Sequence, residues 1–244
     1  MENKCCLRID DIGASSKEFE VYSNRFLGNI SFLKYLKSFK AWGKYKELDV
    51  EDWKSIIDLL IKYNSKLTVG VTAAWVEKDS SLVPYPEKFQ SEALILKQAF
   101  EDNIIEIANH GLSHCIIGEH MPRTFTSNRI YHREFWNWLP TKLHYDHMRE
   151  SQNIFHEWLG VNITSFIPPG NVYSYDTIAA ANEYNIKRIN AKNKLFTDLP
   201  INIIGLENIV AFHDREIKVY GHVWFEELLK SHVEKKHYFL REIS

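Results

Sequence analysis

Cysteine is scarce in this chain: three among 244 residues. Three thiols cannot staple a disulfide scaffold, and Cys5 and Cys6, as strand neighbours, point to opposite faces and cannot pair with each other. They read as small buried side chains, and a reducing cytoplasm is the expected location. Charge of one sign is also missing: 30 Lys and Arg stand against 32 Asp and Glu, a net charge of -2. A nucleic-acid binder needs a basic surplus to displace counterions, so none is expected as a partner. No uncharged apolar run approaches the roughly 18 residues of a membrane span. Residues 1–10 hold no apolar stretch of signal-peptide length either.

What is present is an ordinary globular composition, 45% hydrophobic and 25% charged, which excludes global disorder. The length suits one domain and buries about 70% of the unfolded surface. Histidine is the abundant reactive type, with eleven residues, which directs attention to a metal or acid–base site.

Strand and helix patterns alternate. Residues 5–9 form a short apolar strand running into Asp10, Asp11 and Gly13. After an aromatic, basic stretch at 14–48, with a short helix near 30–39, Trp53, Ile56, Ile57, Leu60 and Ile61 recur at spacings of three and four, the mark of an amphipathic helix. Strands are predicted at 66–73, 104–108, 163–167 and 186–190, and helices at 88–101, 145–159 and 174–184. Near the end come strands at 208–212 and 216–221, a helix at 224–234 and a strand at 237–242. This order argues for a parallel α/β fold, in which chemistry sits at the carboxyl ends of the strands. Asp10 and Asp11, His110 and His114, Pro168–Asn171 and His222 all fall just past predicted strand ends.

His110 and His114 share a face if their segment makes a helical turn. Two histidines and a carboxylate form a common catalytic zinc arrangement. Two adjacent carboxylates repel unless a cation or hydrogen bonds offset the cost. In order, Leu7-Arg8-Ile9-Asp10-Asp11, Asn109-His110-Gly111-Leu112-Ser113-His114, Phe166-Ile167-Pro168-Pro169-Gly170 and Val219-Tyr220-Gly221-His222 resemble the motifs of the polysaccharide deacetylases, the NodB-homology or family 4 carbohydrate esterases. The resemblance spans nearly the whole chain. It implies a distorted (β/α) barrel of about seven parallel strands, formed by residues 1–244 as one catalytic domain. It also implies that Asp11, His110 and His114 hold a divalent metal, Zn2+ foremost. Asp10 would be the general base, His222 the general acid, and a backbone N–H near Gly170 or Asn171 an oxyanion donor.

The chain departs from the family pattern in three places. Phe166 stands where the family carries an Arg that orients the catalytic Asp. Arg8 can substitute, because residues two apart on a strand share a face. Pro169 replaces the loop aromatic. No Asp-x-x-Asp-Trp motif is present to orient the late His, which leaves Asp198 and Asp214 as candidates. His213 competes with His222 for the acid role. The insertion at 115–147 holds His120, His132, His144 and His147. Its Trp136 and Trp138 could wall a sugar subsite, alongside Arg8, Pro169, Gly170 and Asn171 as substrate contacts. Cys115 reads as packed.

The expectation is therefore a metal-dependent hydrolase that removes an N-acetyl group from a sugar, such as a cytoplasmic precursor of a surface polysaccharide. The alternatives are hydrolysis of a non-sugar amide on the same fold and a non-catalytic carbohydrate-binding relative. The sequence leaves the oligomeric state open.

Overall fold

The computed structural model describes residues 4–20, 46–123 and 127–243. The expected helix near 30–39 lies outside them. In chain order the elements are β1 (Lys4–Ile12), α1 (Ser16–Phe19), α2 (Val50–Lys62), β2 (Leu67–Val71), β3 (Ala74–Val76) and β4 (Leu82–Pro84). Then follow α3 (Tyr85–Lys88), α4 (Gln90–Glu101), β5 (Ile105–Asn109), α5 (Thr141–Leu159), β6 (Ser165–Phe166), α6 (Tyr175–Glu183) and β7 (Arg188–Asn190). The chain closes with β8 (Asn202–Ile204), β9 (Ile209–His213), α7 (Asp214–Lys230) and β10 (Lys236–His237).

The main sheet is parallel throughout and runs β1-β2-β5-β6-β7-β8, with β9 and β10 placed end to end along the free side of β1. It is a curled half-barrel of seven strand positions, as the resemblance implied. The curl is visible in one contact: Arg8 on β1 hydrogen-bonds Asn190 on β7, across the concave side of three intervening strands.

Alternation along the strands sorts the two faces. Cys5, Leu7 and Ile9 on β1, with Leu67, Val69, Ile105 and Ile107, face outward onto α2, α4 and α7 through Trp53, Ile56, Leu60, Leu96 and Phe225. Cys6 faces inward with Ala108, Ile167, Ile204 and Leu240. Both faces are buried, which is why the strands read as nearly continuous apolar runs. A 3-10 turn at Leu240–Glu242 plugs the amino-terminal end, where Leu240 N–H donates to Thr68 and Arg241 N–H donates to Glu106.

Helix α2 starts where Asp49 accepts the N–H groups of Glu51 and Asp52, a reciprocal capping box with the Asp52 carboxylate on the Asp49 N–H. The expected strand at 216–221 is instead the first half of α7, kinked at Gly221 (φ +75°). Its β-branched residues suggested a strand. Yet Ile217 is the buried apolar residue there, while Val219 and Tyr220 are exposed, a helical and not an alternating pattern. The Glu216 carboxylate accepts the His213 N–H and fixes the helix start. The expected last strand shrinks to Lys236–His237, and β8 and the β3–β4 hairpin are additions to the expected set.

Candidate active site

Adjacent residues on a regular strand point to opposite sides, so Asp10 and Asp11 should be separated. The pairing of β1 with β2 prevents this. It runs Ile9↔Val69 and then Ile12↔Val71, one residue more on β1 than on β2. This β-bulge re-aims a side chain. It leaves Asp11 in the left-handed region (φ +68°), and both carboxylates line one cleft of about 220 Å³ at the carboxyl ends of the strands. The Asp11 carbonyl accepts the Ala14 N–H and the ammonium of Lys17. Lys17 is buried and ion-paired with Asp214 at 2.5 Å and Glu47 at 3.1 Å. Non-glycine residues rarely hold a positive φ, and this cluster is what holds Asp11 in it.

The segment after β5 is a loop and not a helical turn, so the four-residue spacing does not by itself put the two histidines on one face. Gly111 (φ +85°) and His114 (φ +56°) turn the chain so that the two imidazole centroids still lie 5.0 Å apart. The organiser is Glu134, from the insertion, which the sequence reading missed. Its carboxylate is fully buried and accepts the N–H groups of Leu112, Ser113 and His114, together with Nδ1 of His147 on α5.

Asp11, His110 and His114 present one ligand atom each within 4.8 Å of one another. Nε2 lies 3.1 Å (His110) and 3.2 Å (His114) from the Asp11 Oδ1. His110 Nδ1 donates to the Ile167 carbonyl at 2.7 Å, which leaves a lone pair on Nε2 in the neutral ring. His114 Nδ1 meets the Ser16 hydroxyl at 2.9 Å, and its buried Nε2 is turned to the Asp11 carboxylate at 3.2 Å without a well-formed hydrogen bond. Burial lowers the His114 pKa, with the Asp11 charge only partly offsetting it. Burial alone would raise the Asp11 carboxyl, but His110 and His114 override it and hold it well below the usual carboxylate range. Two imidazoles with fixed rings and one ionised carboxylate converging on a point are a donor set that fits a divalent cation.

Behind this cluster, Arg8 donates from Nη2 to the Asp10 Oδ2 at 2.6 Å. The Asp10 Oδ1 is buried without a hydrogen-bond partner. Arg8 therefore occupies the place expected of the family arginine, as a positioning group. It is buried and, unlike the other expected contacts Gly170 and Asn171, does not line the cleft.

Two further placements correct the expectations. His222 lies beyond the Gly221 kink, on the side of α7 that meets α2, with Nε2 3.2 Å from Asp52. It is not part of the cleft. His213 is, because the β1–β9 register places it directly opposite Asp10. Burial would lower the His213 pKa, but Glu216, Asp11 and Asp10 outweigh it and raise it to about 9. The carboxylate beside His213 is Glu216, not Asp198 or Asp214. The His-x-x-Glu capping spacing was the available signal.

The insertion also differs from expectation. Trp138 is 54% exposed, Trp136 donates to the Ile130 carbonyl, and neither lines the cleft. His120, His132, His144 and His147 are buried and bonded to protein atoms. Arg129 and Arg133 reach the cleft in their place. Pro168, Gly170 and Asn171 line it, while Pro169 packs behind against Gly111. The Asn171 N–H is used by the Pro168 carbonyl, so of the two expected oxyanion donors only Gly170 is left. Cys115 is fully buried, and burial pushes its thiol far above the ordinary value.

The sequence profile of the polysaccharide deacetylases matches residues 44–189, more than half of the chain. The chain belongs to the polysaccharide deacetylase family. No curated protein matches it in sequence. Among solved structures it is similar to the Xyl-CE4 domain of a multidomain xylanase from the hindgut metagenome of Trinervitermes trinervoides. That pair shares 12% identity over 99% of this chain and 89% of that one, with a TM-score of 0.51. A peptidoglycan N-acetylglucosamine deacetylase aligns at 14% identity over 98% of this chain and 86% of that one (TM-score 0.52). A 4-alpha-glucanotransferase from Thermococcus litoralis aligns at 9% identity over 99% of this chain but 38% of that one (TM-score 0.54). At these identities the likeness is one of fold alone.

Proposed function

We propose that this chain is a metal-dependent hydrolase that removes an N-acetyl group from a sugar, acting as one catalytic domain over residues 1–244. The observation that carries the reading is the Asp11, His110 and His114 donor set beside an arginine-held Asp10 in one cleft. Among the common metals, Zn2+ suits two imidazoles and a carboxylate. When bound, such an ion supplies Lewis-acid polarisation of an amide carbonyl and acidifies water.

The chain's own residues account for the proton movements. Arg8 keeps Asp10 turned so that its Oδ1 takes a proton from the attacking water. His213, opposite Asp10 and kept protonated by the surrounding carboxylates, donates a proton to the departing nitrogen. Gly170 lines the same cleft, and its backbone N–H would serve as a donor for the tetrahedral oxyanion.

The absence of both tryptophans from the cleft favours one competing reading, hydrolysis of a non-sugar amide by the same groups. A cytoplasmic substrate is in keeping with three free, buried thiols. Among the described residues no helix is long and apolar enough to cross a membrane.

The test is metal analysis of the purified protein together with acetate release from N-acetylated sugars and non-sugar amides. His110→Ala and His114→Ala should lose both metal and turnover. Asp10→Asn should keep the metal and lose about 10²–10⁴-fold in kcat. Stoichiometric metal in both histidine variants, or near-wild-type turnover in Asp10→Asn, would overturn the assignment.

A further inference from the structure

Four permanent cations line the cleft: Lys17, Arg129, Arg133 and Arg215. Three are matched by carboxylates. Lys17 pairs with Asp214 and Glu47, Arg215 with Glu216 at 2.7 Å, and Arg129 lies 3.8 Å from Glu20. Arg133 differs. Among the described residues no carboxylate lies within ion-pair distance of it, and its Nη1 donates to the His132 carbonyl at 2.6 Å. The nearby acids are already committed: Glu134 to three backbone N–H groups and His147, Asp10 to Arg8, and Asp11 to the two histidines.

The Arg133 side chain is also seated. It lies across the Cα of Gly170, where an added Cβ would stand 1.8 Å from Nε and 2.1 Å from Cδ. Gly170 is thus required twice, once by its own φ of +60° and once by the arginine stem above it. A half-buried guanidinium with one of its five donors used, fixed beside the oxyanion loop, is a prepared anion site. Leaving such a cation unmatched costs free energy that a ligand anion would recover. Its planar fork matches a carboxylate or phosphate in two-point contact, whereas sugar hydroxyls need no fixed charge.

We propose that the substrate carries an oxyanion group, a carboxylate or a phosphate, near its N-acyl group, and that Arg133 seats it. This rests on the deacetylase reading and narrows it to acidic or phosphorylated N-acyl sugars. The cleft, at about 220 Å³, is smaller than the roughly 300–1,000 Å³ of sites that enclose a drug-sized ligand. It takes the acyl end and one anionic group, with the rest of the substrate outside.

The test uses the metal-loaded enzyme and four probes: N-acetylglucosamine, its 1-phosphate, its uridine diphosphate conjugate and an N-acetylated uronic acid. Arg133→Ala should raise KM for the preferred charged probe about 10- to 100-fold, the effect of losing charge-assisted hydrogen bonds. The rise in KM should be much smaller for the neutral sugar, and Arg133→Lys should fall between. Preference for the phosphates or for the uronic acid names the source of the anion.

An equal fall in kcat for charged and neutral probes would overturn the proposal and assign Arg133 to the tetrahedral oxyanion instead. Equal turnover of neutral and charged probes by the wild type would also overturn it. Failure of every probe to release acetate would count against the deacetylase reading itself. In that case calorimetric titration of phosphate and glucuronate decides: binding lost in Arg133→Ala supports the anion site, and binding unchanged by the substitution removes it. Thermal melts of both variants separate these outcomes from misfolding.

Discussion

Two carboxylates in the half-barrel, Glu106 buried and Asp11 14% exposed at the cleft, behave oppositely. Glu106, on β5 near the plugged end, accepts the hydroxyls of Thr68 and Ser165 and the Arg241 N–H. Burial is the largest influence on it and raises its pKa, with those donors only partly compensating. Asp11, at the open end, has imidazole partners, which override burial and keep it ionised. Neutral donors soften the desolvation of a carboxylate, whereas partners able to bear charge reverse it. One fold thus holds a carboxyl that burial pushes towards neutrality at one end and a carboxylate kept ionised by imidazoles at the other.

The contrast is tested most severely by removing each charge without changing shape. Asp11→Asn should abolish metal binding and turnover, read by metal analysis and acetate release; retention of both would show that the carboxylate charge is not what distinguishes the open end. Glu134→Gln should come next. It keeps the shape but weakens three backbone hydrogen bonds and the His147 contact, so metal affinity should fall about 10- to 100-fold by competition with a chelator. An unchanged affinity would mean that the loop around His110 and His114 holds itself.

Glu106→Gln should have the smallest effect, within about 1 kcal/mol at acidic pH. The sign of its pH dependence is informative. A carboxyl whose pKa is raised on folding contributes its stability below the unfolded pKa and loses it as pH rises through the folded value. The wild type should therefore lose stability relative to Glu106→Gln between acidic and neutral pH in urea titrations. In metal-free protein Asp11 runs the other way: its contribution is present above its unfolded pKa and is lost as pH falls through the lowered one. Parallel profiles for the two sites would break the contrast.

Much of this was readable from local pattern. Arg8, Asp10 and Asp11 lie within four consecutive positions, and the Arg8–Asp10 pair follows from strand alternation alone. His110 and His114 are close in sequence, and they meet even though a left-handed loop, not a helical turn, joins them. Helix α2 was legible through its apolar period. The errors cluster where short-range signals conflict. Val219 and Tyr220 resemble strand residues, but α7 begins at Asp214, and this one boundary moves the late histidine of the cleft from His222 to His213.

What the amino-acid sequence determined by itself was the juxtaposition of Arg8 with Asp10, the pairing of His110 with His114 and the alternation of parallel strands with helices, because each rests on residues a few positions apart. Tertiary structure decided everything that depends on distant segments meeting at the rim. The bulge against β2 turned Asp10 and Asp11 to one side. Lys17, Asp214 and Glu47 held the left-handed turn, and Glu134 with His147 shaped the histidine loop. Arg133 came to rest on Gly170. Buried charges and backbone donors must find partners wherever the fold brings them, and sequence spacing carries little record of that choice.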